Sequence, residues 1–210
     1  SCGSGYGEGL VLGRETGNSA PSDIFVINCY FGGTGGGGIS GDAQIYIKGL
    51  IRGFFIGCIF DNCYKNMIRI VDGYAEHYSR FIDFIGCGIH TPFSATTPEL
   101  NNTYDGVRLE GGTHHVRFLG GMIGQKWPAD ASTIKWRYGI VEVDAADYTV
   151  IDDVTFICFN DAWGTKPVNL TGSHSKISNC QGFITENSGT ATNTTATTFV
   201  FNHVLAGTPT

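Results

Sequence analysis

The sequence predicts an all-β fold, a parallel β-helix of about six coils, on three observations. First, a six-residue phrase recurs as Val26 to Phe31, Phe55 to Phe60 and Phe84 to Ile89, and returns degraded at Phe118 to Ile123, Ile151 to Phe156 and Ile177 to Gly182. The first three copies lie 29 residues apart and the later gaps are 34, 33 and 26, a period that signals stacked units. Second, a short alternating strand precedes every copy. Third, no unit holds ten residues of helical periodicity, while Gly, Asn and Asp punctuate the junctions.

Each element follows from residue type. The preceding strands are Leu10 to Leu12, Ile45 to Ile47, Ile68 to Ile70, Val107 to Leu109, Val141 to Val143 and Val168 to Leu170, with apolar residues flanking a variable middle position. That is the period of a strand with one buried face. Within the phrase, Val26, Phe55, Phe84, Phe118, Ile151 and Ile177 are expected to point inward. Two residues on, Asn28, Gly57, Gly86, Gly120, Asp153 and Asn179 are types that tolerate a left-handed backbone, so a sharp bend is expected there. Phe31, Phe60, Ile89, Ile123 and Phe156 refill the core after the bend.

Strings such as TVIDDVTF and SKISNCQGF resemble coils of the pectin-lyase-like right-handed, single-stranded parallel β-helix, a resemblance that runs from Leu10 to about Ile184 and implies a β-helix domain over residues 1–184. Residues 185–210 lose the repeat and are Thr-rich. Their close through His203, Leu205, Gly207 and Pro209 is similar to the segment that follows the β-helix in phage and prophage tailspike-like proteins. The resemblance implies the start of a small C-terminal β module, either truncated or serving as an oligomerisation or capping element.

Composition narrows the partners. The net charge is -6 and the 13 Lys and Arg are scattered singly, so no basic stripe tracks a nucleic acid. No apolar run reaches membrane-span length. Cys29, Cys58, Cys87 and Cys180 share one slot of the repeat and read as a reduced structural ladder, not a metal site, and no cofactor is expected. The run GGTGGGGISG has no following Lys and reads as a surface turn.

Three groups could carry function. Ile27, Ile56, Ile85 and Leu119 follow the inward residues and alternation aims them outward, where either a local loop covers them or another subunit does. The tailspike resemblance implies a homotrimer. The outward column of the preceding strands contains Arg69, Arg108 and Glu142, predicting an Arg108–Glu142 pair, and Glu110 and Asp144 are expected at equivalent places in adjacent coils. Two carboxylates so spaced, with Arg108 to orient, meet the first demand of glycoside hydrolysis, though such a charge ladder is also what a solvated solenoid face carries. His114 and His115 adjoin Glu110, and at most one could join it because neighbours on an extended chain diverge. Finally, corner loops hold Trp127, Trp136, Trp163 and Tyr104, which either stack on sugar rings or pin the loops to the solenoid.

The expected function is that of a phage or prophage tailspike-like protein at the virion surface or outside the cell, which binds a cell-surface polysaccharide and, if Glu110, Asp144 and Arg108 form a site, depolymerises it. A non-catalytic structural appendage and a secreted pectate-lyase-like enzyme are the alternatives.

Overall fold

The computed structural model describes residues 10–13, 21–32, 43–61, 65–73, 78–90, 102–124, 136–157 and 163–182. The Thr-rich segment 185–210 and Trp127 lie outside them. The described residues form a parallel β-solenoid with three faces. The first sheet stacks Leu10–Gly13, Ala43–Lys48, Asn66–Val71, Val107–Leu109, Trp136–Glu142 and Trp163–Asn169. The second stacks Ser22–Ile27, Ile51–Ile56, Arg80–Ile85, His114–Leu119, Val150–Asp152 and Lys176–Ser178. The third, five strands deep, runs from Tyr30–Phe31 through Ile59–Phe60, Gly88–His90 and Met122–Gly124 to Thr155–Ile157. Among the described residues no helix is long and apolar enough to cross a membrane.

Every pairing is parallel, so each side chain stands on its counterpart one rung away, about 4.8 Å along the stack. Val26, Phe55, Phe84, Phe118, Ile151 and Ile177 form one inward column, as the phrase predicted. Phe55, Phe84 and Phe118 stack nearly parallel with centroids 4.7 and 5.0 Å apart, and Phe31 stacks on Phe60 at 5.4 Å. Each fully buried aromatic contributes about 2–3 kcal/mol of apolar burial, so the columns that set the repeat also hold the stack.

The expected bend is present at every rung. Asn28, Gly57, Gly86, Gly120, Asp153 and Asn179 all have φ between 52° and 65°. Just beyond it the cysteine ladder is free thiol, with Cys58 and Cys87 buried, Cys180 half-buried and Cys29 exposed. Burial pushes the Cys87 thiol up to about 11, which keeps it protonated and inert.

One register departs from expectation. Val107, Arg108 and Leu109 pair with Ile140, Val141 and Glu142, so the fifth strand is displaced by one residue and Arg108 does not face Glu142. Glu142 instead continues the inward column of Ile47, Ile70 and Leu109 and is 1% exposed. Its carboxylate survives there because the turn after the sixth strand surrounds it with donors. The Thr171 and Gly172 amides donate to Oε2 at 2.8 Å each, and the Ser175 hydroxyl donates to Oε1 at 2.5 Å.

Candidate functional site

The first-sheet charges assemble into one hydrogen-bonded chain. Glu110 Oε2 accepts from Arg69 Nε and Nη2 at 3.1 and 2.8 Å, and its Oε1 accepts from Arg108 Nε. Arg108 Nη1 reaches Asp105 at 3.0 Å, and Arg137 donates twice to Asp105, which is fully buried. Burial by itself would raise the Glu110 carboxyl, but the hydrogen bonds and charges of Arg108 and Arg69 outweigh it and hold the group below its ordinary range. Asp144 is exposed at a left-handed turn position (φ 60°), one residue beyond the Val143 that the register sets level with Glu110.

The aromatic residues disperse. Trp136 is a core residue at 1% exposure, so it packs the solenoid and offers no face to a sugar. Its backbone pairs with that of Trp163 on the next strand. Tyr104 is half-buried with Lys65 Nζ 5.9 Å from its ring centre. The outward column Ile27, Ile56, Ile85 and Leu119 is in register and continues into Asp152 and Ser178. Ile27 is 53% exposed and the other three aliphatics are half-exposed.

A groove that sequence reasoning did not single out lies on the second sheet beside this column. It encloses about 370 Å³ and is lined by Arg52, Phe54, Phe81, Asp83, His115, Arg117, Tyr148 and Val150, within the range of small-ligand sites. Its floor is the second outward column of the sheet. There Arg117 makes a two-pronged pair with Asp83, Nε to Oδ1 at 2.7 Å and Nη2 to Oδ2 at 2.5 Å. Asp83 is buried while the Arg117 side chain is 51% exposed, so the guanidinium is pinned yet faces solvent. The hydrogen bonds that Arg117 donates to Asp83 push the guanidinium still further toward its charged form.

The groove wall, Arg52, Phe81, His115 and Tyr148, is part of a column three residues upstream of the inward one that runs Asp23, Arg52, Phe81, His115, Tyr148 and His174. The first five have φ between 55° and 65°, a left-handed backbone that costs a residue with a Cβ roughly 1–2 kcal/mol. At the phrase's own bend this conformation falls to Gly, Asn and Asp, whereas here, after Asp23, it falls to Arg, Phe, His and Tyr. The rings stack along the solenoid. His115 lies 4.7 Å from Tyr148 at 6° and Tyr148 4.4 Å from His174 at 2°, with Phe81 5.1 Å from His115.

The ladder is anchored at both ends of its imidazole run. Asp147 Oδ2 lies 2.7 Å from His174 Nδ1, and Asp147 Oδ1 accepts the His174 and Tyr148 amides. Although its partial burial acts to raise it, those bonds hold the Asp147 carboxyl down at about 2. At the other end, His115 Nδ1 lies 2.7 Å from His114 Nδ1. Among the described residues no group of three His, Cys, Asp or Glu converges as metal ligands would. The repeat intervals themselves were the available signal for this wall, since its members recur at the same spacings as the phrase. Compared with known proteins, the chain matches no family model, no curated protein and no solved structure.

Proposed function

We propose that the chain is a β-helical appendage that binds a cell-surface polysaccharide along the second-sheet groove, in the manner of the tailspike-like proteins it resembles. The observation that carries the reading is the placement of Arg52, Phe81, His115 and Tyr148 at left-handed positions that Gly or Asn would occupy more cheaply. Stacking within the ladder contributes about 0.5–1.5 kcal/mol per ring pair and offsets part of this cost for the rings. For Arg52 it does not, because its partner Asp23 is a surface ion pair with both side chains about half exposed or more, worth about 0–1 kcal/mol. A side chain kept against its backbone preference, on the rim of a groove, points to a ligand.

The groove runs along the stack, with Phe54 and Val150 flanking the Asp83–Arg117 pair on its floor and Arg52, Phe81, His115 and Tyr148 on its wall, a mixture of apolar and charged groups that suits an amphipathic chain of sugar rings. Self-association through Ile27, Ile56, Ile85 and Leu119, as a homotrimer outside the cell or on a virion, belongs to the same proposal. The bridged Glu110 favours binding without cleavage, because a carboxylate whose charged form is stabilised by Arg69 and Arg108 is a poor proton donor. Release of an unsaturated product would instead restore the lyase alternative. Affinity electrophoresis against a panel of lipopolysaccharide O-chains and capsular polysaccharides tests the reading. Retardation of the wild type that Tyr148→Gly abolishes is expected, and mobility unaffected by every member of the panel would leave the structural appendage.

A further inference from the structure

His115 is the member of the groove wall whose ring nitrogen meets the nitrogen of a second imidazole. Its ring is held between Phe81 and Tyr148, and its Nδ1 lies 2.7 Å from Nδ1 of His114. At that distance one Nδ1 carries a hydrogen and the other accepts it. A first added proton can sit on the far nitrogen of the donor ring, and the contact becomes a charge-assisted hydrogen bond. A second makes both Nδ1 atoms donors, and two imidazolium ions then face each other with no acceptor between them. The contact has to open.

The surroundings decide which ring moves. His114 is half-buried beneath Tyr78 and Phe81, with ring centres 6.3 and 6.1 Å away, and its strand pairs on one side with that of Arg80 and bridges on the other to Asp147. Burial, the His115 charge and the Arg80 charge disfavour its protonation, and Asp72 opposes them. His115 is exposed and faces Tyr148 on one side and Phe81 on the other, with Arg52 on the same wall and Asp83 and Arg117 on the groove floor. His174 lies on the far face of Tyr148, fixed by Asp147. His115 is therefore the ring free to swing.

We propose that the His114–His115 contact is a proton-operated latch on the groove wall, closed near neutral pH and opened by acid, so that ligand is held at neutral pH and released below it. This rests on the groove being the binding site. A one-unit difference in proton affinity between closed and open forms corresponds to about a tenfold change in affinity, the loss expected between pH about 7.5 and about 5.

The test follows the histidine ring signals of the full chain by NMR from pH about 8 to about 4.5, in the wild type and in His114→Phe, which keeps an aromatic under Tyr78. In the wild type we expect two coupled steps, with the second accompanied by loss of the ring-current shift that Tyr148 imposes on His115. In H114F a single step with the stack retained is expected. The same O-chain and capsular panel, run at both pH values, should show acid release for the wild type and none for H114F. Two independent titrations with the stack intact, or equal pH profiles for both proteins, overturn the latch while leaving the groove as a binding site. Absence of binding at neutral pH would sink the polysaccharide reading instead, and the NMR result would still decide the latch.

Discussion

Gly86→Ala isolates the backbone term on which the functional reading depends. Gly86 has φ 59°, and a Cβ built there meets nothing within 4 Å, so the substitution adds no clash. What remains is the left-handed cost of roughly 1–2 kcal/mol, reduced by about 0.4–1 kcal/mol because alanine also restricts the unfolded chain. A net loss of about 1 kcal/mol is expected, or about 2–4 °C in melting temperature for a chain of this size. Gly120→Ala, with φ 65° and the same open space, should lose as much. Gly121→Ala provides the contrast, since its Cβ would lie 2.2 Å from the Cys87 carbonyl oxygen and the backbone would have to shift. Equilibrium urea unfolding of the three variants measures the difference. If Gly86→Ala and Gly120→Ala are neutral or stabilising, the left-handed corners of this solenoid cost nothing, and the retention of Arg, Phe, His and Tyr at the second corner needs no ligand.

Three further outcomes follow from the geometry. Glu142→Gln should lose about 1–2 kcal/mol, because three hydrogen bonds to a buried carboxylate become bonds to a neutral amide; chemical denaturation reads it, and no change would mean the carboxylate does not hold the 171–175 turn. The Asp147 carboxyl is depressed in the folded state to about 2, below the unfolded value of about 3.9. Its contribution is therefore complete above pH about 4 and lost as pH falls toward about 2, and Asp147→Asn should flatten that limb of the stability profile. Ile56→Asp together with Ile85→Asp should reduce the particle to a monomer by light scattering, whereas a wild type already monomeric at micromolar concentration would end the proposal of self-association through that column.

The repeat was legible because stacking forces like residues onto like positions. Inward Phe55, Phe84 and Phe118 and the Gly and Asn bends are chemically alike, so they stand out in a single chain. The fifth strand of the first sheet was misregistered because Ile140, Val141 and Val143 are all apolar and both phases of alternation look buried. Only the donors at Thr171, Gly172 and Ser175, about thirty residues on, decide that Glu142 goes inside. The groove wall hid for the opposite reason to the phrase. Asp23, Arg52, Phe81, His115, Tyr148 and His174 share no chemistry, and what unites the first five is a backbone angle, which residue identity obscures when bulky residues adopt it. Trp136 was drawn to a loop by its flanks, but an indole at the head of a strand gains more from burial than from display. Arg108 and Glu110 share a face, as residues two apart on a strand do, and the structure joins them where the sequence predicts Arg108 opposite Glu142.

The most direct test of the groove as a binding site is Arg52→Gly, with stability and polysaccharide affinity measured on the same preparation. Relief of the left-handed strain of about 1–2 kcal/mol is set against an exposed ion pair of about 0–1 kcal/mol and the added chain entropy of glycine, about 0.4–1 kcal/mol, so unfolding should stay within about 1 kcal/mol of the wild type, while retardation by the polysaccharide that binds the wild type falls about tenfold, the loss of one charged contact. Arg52→Gly that binds as well as the wild type would contradict the claim that this side chain is kept for a ligand.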